Sequence, residues 1–533
     1  MRTRSKAVKD PRQTDIFGFL NKSPLAESAM GNNGCTAAEA LKPDLHRMRE
    51  YQEKALEFIR NRGSSIIVIR TNGGKTEVEF ACAAEKLQEG KVLLVADTVL
   101  LSRQHYSNIL QKFSGVLLPG EIMLVTGDAP RSAENYAKAR FLVGTPESFV
   151  SDLSAGKFSM KEVSLVIFDE VQHMQNHDSY CTVAKAAISA GVERLGFSAS
   201  PASSVVKLRA LFENLGTTHL FHVPDEEVEK YVPSGKQAHI WVLLEPERRH
   251  ISSKLHSVAN ETVYEMLRRA RYYDMERIIE LFGPLEKDFR MPYISELKDA
   301  KQYLLSLKDS LRRYSEQSNA VCASLSSIAV LHHLMNMCTL VERVGSREFE
   351  SYFERHIAPC RSLAAETLAE DEGILEALQI SRKLKDHPKL EEVYIILNTE
   401  KGSALIFTEM VRHAYSLSRE ISGWGIPNAV LLGKSQMPAK KQLEVRKRFE
   451  AGEFRLLIAT SVANEGVHMP NIMTLINYCV PYSIIDYKQR VGRVRDSAGT
   501  AYTLVSHGTP EAHLLLVLGA KGKSVENAFS KML

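Results

Sequence analysis

Residues 66 to 76 read Ile-Ile-Val-Ile-Arg-Thr-Asn-Gly-Gly-Lys-Thr, and this stretch decides how the chain is expected to fold. An apolar, β-branched run passes directly into a glycine-rich turn. A strand of this kind buries its side chains, and the turn after it presents backbone N–H groups to the phosphates of a nucleotide. Lys75 would reach the β and γ oxygens and Thr76 would supply a hydroxyl to Mg²⁺. The loop itself would be shaped by Asn72, Gly73 and Gly74.

The loop departs from the strict phosphate-loop spelling at two positions. Ile69 stands where the first glycine of that pattern is expected, and Asn72 occupies a position often held by glycine. Asparagine tolerates left-handed backbone angles better than most residues, so we expect the turn to keep its shape. Taken alone, these residues leave a plain glycine-rich turn as an alternative.

A second apolar run, residues 163 to 168, ends in the sequence Asp169-Glu170-Val171-Gln172-His173. An aspartate at the end of a buried parallel strand beside a phosphate loop can hold Mg²⁺, and the adjacent glutamate can orient and deprotonate a water molecule. In isolation, two acidic residues after a strand are also typical of a solvated loop. Their pairing with Lys75 and Thr76 favours the catalytic interpretation.

Further short segments occur in a fixed order and carry a family resemblance. Together with the phosphate loop and the segment from Asp169 to His173, they resemble the motifs of superfamily 2 helicases and translocases over about residues 45 to 510. These further segments are Arg49-Glu50-Tyr51-Gln52, Ala96-Asp97-Thr98 with Gln104, Gly144-Thr145-Pro146-Glu147, Ser198-Ala199-Ser200, Leu405-Ile406-Phe407-Thr408, Ala459 to Gly466, and Gln489 to Arg495.

The resemblance implies roles for individual residues. It implies ATP and Mg²⁺ as cofactors, with Thr76 and Asp169 as the metal ligands. The residues implied for nucleotide binding are Arg49, Gln52, Asn72, Gly73, Gly74, Lys75, Thr76, Asp169 and Gly466. Those implied for catalysis are Lys75, Glu170, Gln489, Arg493 and Arg495, because arginines from a second domain stabilise charge on the transferring phosphoryl group. Those implied for nucleic-acid contact are Thr98, Thr145, Pro146, Thr408 and Thr460.

Three features resemble the branch that contains Hef, FANCM, Dicer and RIG-I. They are Asn176 to Tyr180, the Ser-Val-Ala-x-Glu-Gly stretch of residues 461 to 466 together with the entry His387-Pro388-Lys389-Leu390 to the second core domain, and an insertion at about residues 225 to 390. The chain departs from the family pattern at His468, Ser200 and Asp496. A binding-only relative that has lost ATP hydrolysis is therefore an alternative.

The alternation of strands and helices predicts an α/β protein with two RecA-like parallel-sheet domains and a helical insertion domain between them. Strands are expected at 66–70, 92–96, 122–125, 140–143, 164–168 and 194–197, and again near 404–407, 428–431, 455–458, 474–477 and 501–505. The expected divisions are a flexible tail (1–44), the ATP-binding domain (45–224), the helical insertion (225–387), the second helicase domain (388–515) and a C-terminal tail or helix (516–533). We therefore expect no nuclease or other long C-terminal domain after the second helicase domain.

The insertion shows apolar residues at helical spacing in residues 255 to 282 and 294 to 314, and a mostly apolar run in residues 320 to 340. His332, His333 and Cys338 lack a further ligand at metal-binding spacing, so we favour a structural role over zinc. A cluster of basic residues is expected to contact nucleic acid, with solvated helix faces as the alternative. It comprises Arg268, Arg269, Arg271, Lys308, Arg312 and Arg313.

Composition fits an intracellular protein. The net charge is only +4, which argues against a polybasic binder, and seven scattered cysteines imply no disulfide framework. No uninterrupted apolar segment approaches the length of a membrane span, and the N-terminus has no secretory signal. We expect a soluble protein without a membrane partner, in the nucleus of a eukaryote or the cytoplasm of a prokaryote or virus-infected cell.

The tail offers one clue to the substrate. Gln13, Ile16, Phe19 and Leu20 resemble the sliding-clamp binding box, with Leu20 in place of the last aromatic residue. The alternative is an unstructured tail with chance apolar residues. A clamp partner would favour a motor that acts on forked or branched DNA in replication or repair. A double-stranded-RNA-dependent ATPase of the Dicer and RIG-I type shares the same core and is the alternative.

Overall fold

The protein is described by a computed structural model that covers residues 48–113, 116–175, 177–202, 204–232, 235–268, 300–306, 315–433, 435–460, 472–494 and 497–520. The structure contains two parallel β-sheets and a helical region, which is the expected α/β class. The tail with Gln13, Ile16, Phe19 and Leu20 lies outside the described residues. So do Gly466, His468, Arg495 and Asp496, and all of the basic cluster of the insertion except Arg268.

The first sheet has seven parallel strands in the order β3-β4-β2-β5-β6-β1-β7. Its strands are β1 Ser65–Val68, β2 Lys91–Val95, β3 Ile122–Val125, β4 Phe141–Gly144, β5 Val163–Phe168, β6 Glu193–Ser198 and β7 Leu220–His222. The central strands are buried on both faces because helices cover both sides of the sheet. Those helices are Glu50–Arg62, Lys75–Lys86, Val99–Lys112, Ala133–Lys138, Pro146–Ser154, Asp178–Ser189, Val205–Leu215 and Asp225–Glu229, with single turns at Pro119–Glu121, Met160–Glu162 and Val171–Gln175.

The second sheet has six parallel strands in the order β10-β11-β9-β12-β13-β8. They are β8 Lys236–Val242, β9 Ala404–Phe407, β10 Asn428–Leu431, β11 Leu456–Ala459, β12 Thr474–Asn477 and β13 Thr500–Ser506, with helices Val411–Gly423, Ala439–Glu450, Ile484–Val491 and Pro510–Ala520. Every strand expected from the sequence in the two sheet domains is confirmed, with its ends displaced by at most two residues.

The start of the predicted insertion differs from expectation. Val228 packs in the core of the first sheet domain, and residues 236–242 form β8, the edge strand of the second sheet. Strand β8 pairs with β13 from Lys236 opposite Thr500 to Val242 opposite Ser506. Most side chains of an edge strand face water, so Lys-Gln-Ala-His-Ile-Trp-Val shows no continuous apolar run that would have marked it.

The helical region contains Pro246–Arg268, residues 300–306, Ser315–Thr339, the π-helical turn Leu340–Val344, Ser346–His356, Leu363–Glu370, Glu372–Ser381 and Lys389–Thr399. Val321, Leu331, Leu334 and Met337 are buried, as expected for the apolar run of residues 320 to 340. The stretch Asn319–Val344 is long and apolar enough to cross a membrane by length and composition, but half of its apolar window is buried inside this protein. It serves here as a core helix.

A buried ion cluster joins the helical region to the second sheet domain. Glu511 accepts hydrogen bonds from Lys389 Nζ at 2.6 Å and from Arg343 Nε at 3.2 Å. Its carboxylate also accepts the backbone N–H groups of Val480 and Ser506, each at 2.8 Å. Burial alone would raise the pKa of Glu511, but Lys389 and Arg343 lower it. The carboxylate is therefore charged and fully satisfied, and it fixes the helical region against the second sheet.

Glu511→Ala should destabilise the protein strongly, because it leaves Lys389 buried without its carboxylate partner and leaves Arg343 with Glu409 alone. Removing one partner of a buried ion pair costs about 3–5 kcal/mol of unfolding free energy. Urea denaturation followed by circular dichroism would measure the change. Glu420→Ala, which removes a partly exposed partner of Arg347, is the matched control and should cost about 1 kcal/mol or less. Equal losses in the two variants would contradict the role of the cluster.

Candidate nucleotide site and nucleic-acid interface

The phosphate loop connects β1 to the helix Lys75–Lys86 and has the left-handed backbone that was expected. Asn72 has φ 67° and Gly74 has φ 78°, so asparagine adopts the strained conformation as predicted. A Cβ atom on Gly73 would lie 2.4 Å from Ile69 Cγ2 and 3.0 Å from the carbonyl oxygen of Arg70. Ile69, the departure from the strict pattern, therefore packs directly against the glycine that must have no side chain.

The first helix holds the loop from outside. Tyr51 Oη donates to the carbonyl oxygen of Gly73 at 2.8 Å, and Gln52 Nε2 donates to that of Gly74 at 3.1 Å. Arg49 Nη1 donates to Tyr51 Oη at 2.7 Å. With two loop carbonyls bonded outward, the loop backbone is fixed before any nucleotide binds. The role predicted for Arg49 and Gln52 in nucleotide binding stays a prediction, and the structure adds a role for Gln52 in supporting the loop.

The residues predicted for phosphate binding and water activation meet in one ion pair. Lys75 Nζ lies 2.8 Å from Glu170 Oε1, and both side chains are largely buried. Burial would lower the pKa of Lys75, but Glu170 and Asp169 raise it above its ordinary value, so the lysine is charged. A triphosphate in the loop would compete with Glu170 for Lys75, which would free the glutamate to orient water.

A relay of hydrogen bonds through Gln172 and Ser198 positions the second carboxylate oxygen of Glu170. Gln172 Nε2 donates to Glu170 Oε2 at 2.9 Å, and Gln172 Oε1 accepts the hydroxyl of Ser198 at the end of β6. Glu170 itself has φ 46°, an uncommon value for a residue other than glycine. Strained backbone of this kind persists where the surrounding contacts hold a functional side chain in place.

Asp169 lies in a buried cluster that the sequence interpretation did not include. His105 Nε2 is 2.8 Å from Asp169 Oδ2, and ligand atoms of Glu79, His105 and Asp169 all lie within 4.8 Å of one another. Burial would raise the pKa of Asp169, but the hydrogen bond and charge of His105, together with Lys75, lower it to about 2. Burial, followed by the carboxylate of Asp169, raises the pKa of Glu79 well above its usual range.

Two sequence signals mark these overlooked residues. Glu79 lies four residues after Lys75 and hence on the same face of its helix, and His105 directly follows Gln104.

The oxygen donors of Thr76 and Asp169 suit Mg²⁺, a hard cation, and Asp169 Oδ1 already accepts the backbone N–H of Glu170 at 2.9 Å. The residues present therefore fit the ion, and His105 holds the carboxylate that would bind it.

The second sheet domain contacts the phosphate loop through the turn at Gly492. Asn72 Nδ2 donates to the carbonyl oxygen of Gly492, and a Cβ atom on Gly492 would lie 2.9 Å from Thr71 Cβ. Gln489 and Arg493, both predicted to be catalytic, are buried in this segment. The contact brings the chain that carries Arg493 against the loop that carries Lys75. The predicted residues Arg495 and Gly466 lie outside the described part of the chain.

The residues predicted for nucleic-acid contact follow the carboxyl ends of strands. Thr98 comes after β2, Thr145 and Pro146 after β4, Thr408 after β9 and Thr460 after β11. Since β2 neighbours β4 and β9 neighbours β11, each sheet groups its own set along one edge.

The hydroxyls of Thr98, Thr145 and Thr408 form hydrogen bonds within the protein. Thr98 Oγ1 accepts the N–H of Leu101 at 3.1 Å, Thr145 Oγ1 donates to Ser148 Oγ at 3.0 Å, and Thr408 Oγ1 is 2.6 Å from His413 Nδ1. Thr145 and Thr408 are also buried. Any contact from these two residues to a nucleic acid would therefore use backbone groups in place of side chains.

Two family models match the chain. A DEAD/DEAH box helicase model matches residues 49–208, and a helicase conserved C-terminal domain model matches residues 388–496. These ranges contain the phosphate loop with Asp169 and the segment with Arg493, respectively. The two matches thus coincide with the two sides of the candidate site.

Curated relatives cover most of this chain. It is 27% identical over 491 residues to the putative ATP-dependent RNA helicase MJ1505 of Methanocaldococcus jannaschii, covering 88% of this chain and 59% of that protein. It is 22% identical to the endoribonuclease Dicer homolog 2a of Oryza sativa subsp. japonica (91% and 36% covered) and 22% identical to the ATP-dependent DNA helicase mph1 of Neurospora crassa (88% and 42%). The chain thus spans less than two thirds of the length of these relatives.

Among solved structures, the Hef helicase domain of Pyrococcus furiosus superposes with a TM-score of 0.62 at 23% identity. The match covers 89% of this chain and 99% of the other. At this level of identity the match supports the fold: two parallel-sheet domains arranged as in a helicase.

Lys75→Ala and Glu170→Gln should each abolish ATP hydrolysis while the protein stays folded. The first removes the charge that neutralises phosphate, and the second removes a water-orienting base, whose loss typically lowers turnover by about 10²–10⁴-fold. Steady-state phosphate release and thermal melting would measure activity and folding. Glu134→Gln, on an exposed helix, is the control for carboxylate removal. Near-normal turnover in either site variant would refute the assignment.

His413, the buried partner of Thr408, should make the second sheet domain acid-sensitive. Burial, and then the charge of Lys389, lower the pKa of His413 to about 3. An unfolded histidine titrates near pH 6.5, so as pH falls below that value the unfolded chain takes up a proton that the folded protein excludes. Stability should then fall by up to about 1.4 kcal/mol per pH unit from this residue. Urea unfolding between pH 7 and pH 4 should show a shallower pH dependence for His413→Gln than for the wild type, and identical slopes would contradict this account.

Proposed function

We propose that this chain, which belongs to the superfamily 2 helicases in the branch of Hef, FANCM and Dicer, hydrolyses ATP and uses the energy to move along nucleic acid. The observation that carries the proposal is the meeting of Lys75, Glu170 and Asp169 beneath a loop that the second sheet domain contacts through Gly492. An ATPase needs Lys75, Glu170 and Asp169. A motor also needs the contact between the two domains at Gly492, because hydrolysis must change that contact.

The chemistry follows from the positions of these groups. Lys75 and the loop N–H groups would hold the phosphates, and Thr76 and Asp169 would hold Mg²⁺, which neutralises charge on the β and γ oxygens. Glu170, positioned by Gln172, would orient and deprotonate the attacking water. Arg493 from the second domain would stabilise the transferring phosphoryl group. The relay from Gln172 to Ser198 argues against a degraded, binding-only relative, since the groups that position the base are kept.

For the substrate we propose forked or branched DNA in replication or repair. The support is the relative named as a DNA helicase and the clamp-like segment with Gln13, Ile16, Phe19 and Leu20, which rests on sequence alone. A sliding clamp would then be a partner, and the protein would act in the nucleus of a eukaryote or the cytoplasm of a prokaryote. The second candidate is a double-stranded-RNA-dependent ATPase, favoured by the relatives named as an RNA helicase and a Dicer homolog.

Comparison of polynucleotides separates these candidates. Forked DNA should stimulate steady-state ATP hydrolysis more than duplex RNA of matched length and sequence. Arg493→Ala should still bind a fluorescent ATP analogue but lose the stimulated turnover, because it removes charge stabilisation in the transition state only.

The remaining outcomes are equally informative. Greater stimulation by duplex RNA would favour the RNA-dependent ATPase. Nucleic-acid binding without hydrolysis under any condition would instead favour the binding-only relative.

A further inference from the structure

A basic groove lies where the helical region meets the second sheet domain. Its walls are the helices Ser346–His356 and Val411–Gly423, and it encloses a cavity of about 420 Å³. The lining includes arginines from both helices, so neither domain alone forms it. The groove lining includes Arg355, Arg412, Arg419, Ser351, Tyr352 and Tyr415.

Three arginines of the groove are exposed and have no acidic partner among the described residues. Arg355 and Arg412 approach from opposite walls, and both donate to the hydroxyl oxygen of Ser351, Arg412 at 3.2 Å. Arg419 follows Arg412 by seven residues, about two turns further along the same face of the second helix. A fourth arginine, Arg347, differs because it pairs with Glu420 at 2.8 Å and Asp386 at 3.4 Å. Guanidinium groups gathered around one neutral hydroxyl repel one another unless an anion joins them.

One acidic residue lies among the four arginines of the lining. Glu348 is partly buried, and burial raises its pKa above the ordinary value for glutamate. With four arginines against one glutamate, the lining of the groove is basic.

Two tyrosines add flat apolar surfaces beside these charges. Tyr352 is held rigidly, because its Oη contacts His333 Nδ1 at 2.9 Å and accepts a hydrogen bond from Asn336 Nδ2 at 3.1 Å. Its ring lies 4.8 Å from that of His356. Tyr415, on the opposite wall, is half exposed. Arginines interleaved with aromatic rings are the chemistry that grips a single strand, with phosphates on the guanidinium groups and bases or sugars against the rings.

The groove is continuous with the predicted nucleic-acid edge of the second sheet. Met410, which lines it, is two residues after Thr408 at the end of β9 and is the N-cap of the helix that forms one wall. A strand that crosses the carboxyl ends of β9 and β11 would therefore meet the groove next.

We propose that this groove binds the sugar-phosphate backbone of one nucleic-acid strand, as an extension of the second domain's track onto the helical region. The inference rests on the proposed function, because it assumes a nucleic-acid substrate. The phosphates would lie on Arg355, Arg412 and Arg419, and the helical region would take part in binding at its junction with the second domain.

The test compares the wild type with a variant carrying Arg355→Gln, Arg412→Gln and Arg419→Gln, using a fluorescein-labelled oligodeoxythymidine and a potassium chloride series. Each lost phosphate contact on a single strand lowers the slope of log affinity against log salt by about 0.7, so the slope should fall by about 2 and low-salt affinity by about tenfold or more. The control variant, Arg249→Gln, Arg382→Gln and Lys383→Gln, removes the same charge from exposed positions outside the groove. Its slope should match the wild type.

The outcomes keep this inference separate from the proposed function. If the wild type binds the oligonucleotide and the groove variant shows the wild-type slope, the inference is overturned and the motor stands. If the wild type does not bind any nucleic acid, both fall. The single variant Arg419→Gln is a check against misfolding, because Arg419 is exposed and takes no part in the described hydrogen bonds to Ser351. It should lower the slope by about 0.7 with an unchanged melting temperature. Nucleotide binding should be equal in all variants.

Discussion

The backbone of the loop from Ile69 to Lys75 is the constraint on which the rest of the site depends. Two of its residues adopt left-handed angles, and its Gly73 position admits no Cβ atom. Such a loop is unfavourable by itself, and contacts from several sides hold it: Tyr51 and Gln52 bind its carbonyl groups, and Asn72 binds Gly492. Because the contacts come from the first helix and from the second domain, the loop conformation and the closure of the two domains are coupled.

The sequence predicted those parts of the molecule whose signals are local. Buried parallel strands are continuous apolar runs, so β1, β5 and β9 were located to within two residues. Asn72 followed from its tolerance of positive φ, and Asp169 with Glu170 followed from their place after such a strand. Strand β8 was missed because an edge strand buries few side chains, and its pairing with β13 joins segments far apart in the chain.

The cluster around Asp169 was missed for a related reason. A glutamate in a helix is normally read as a solvated charge, yet Glu79 is fully buried beside His105. The residues next to Glu79 in the sequence do not indicate that Asp169, which follows β5, will lie beside it. Only the strand order, which places β5 two positions from β1, brings the two helices and the aspartate together. Tertiary contacts of this kind set pKa values, and no local pattern reports them.

The helical region follows the second sheet domain because their junction is buried and charged. Glu511 binds Lys389 and Arg343, Arg343 also donates to the carbonyl oxygen of Val480 at 2.6 Å, and Ser506 Oγ donates to the carbonyl oxygen of Glu342 at 2.6 Å. Separating these surfaces would expose ions without partners. This costs far more free energy than a small rotation between the two sheet domains, because their described contact at the loop is the single turn at Gly492. Motion driven at the nucleotide site should therefore carry the basic groove with the second domain as one body. A groove fixed in this way would change its distance from the predicted nucleic-acid edge of the first domain in every cycle, which is the displacement that the proposed motor requires.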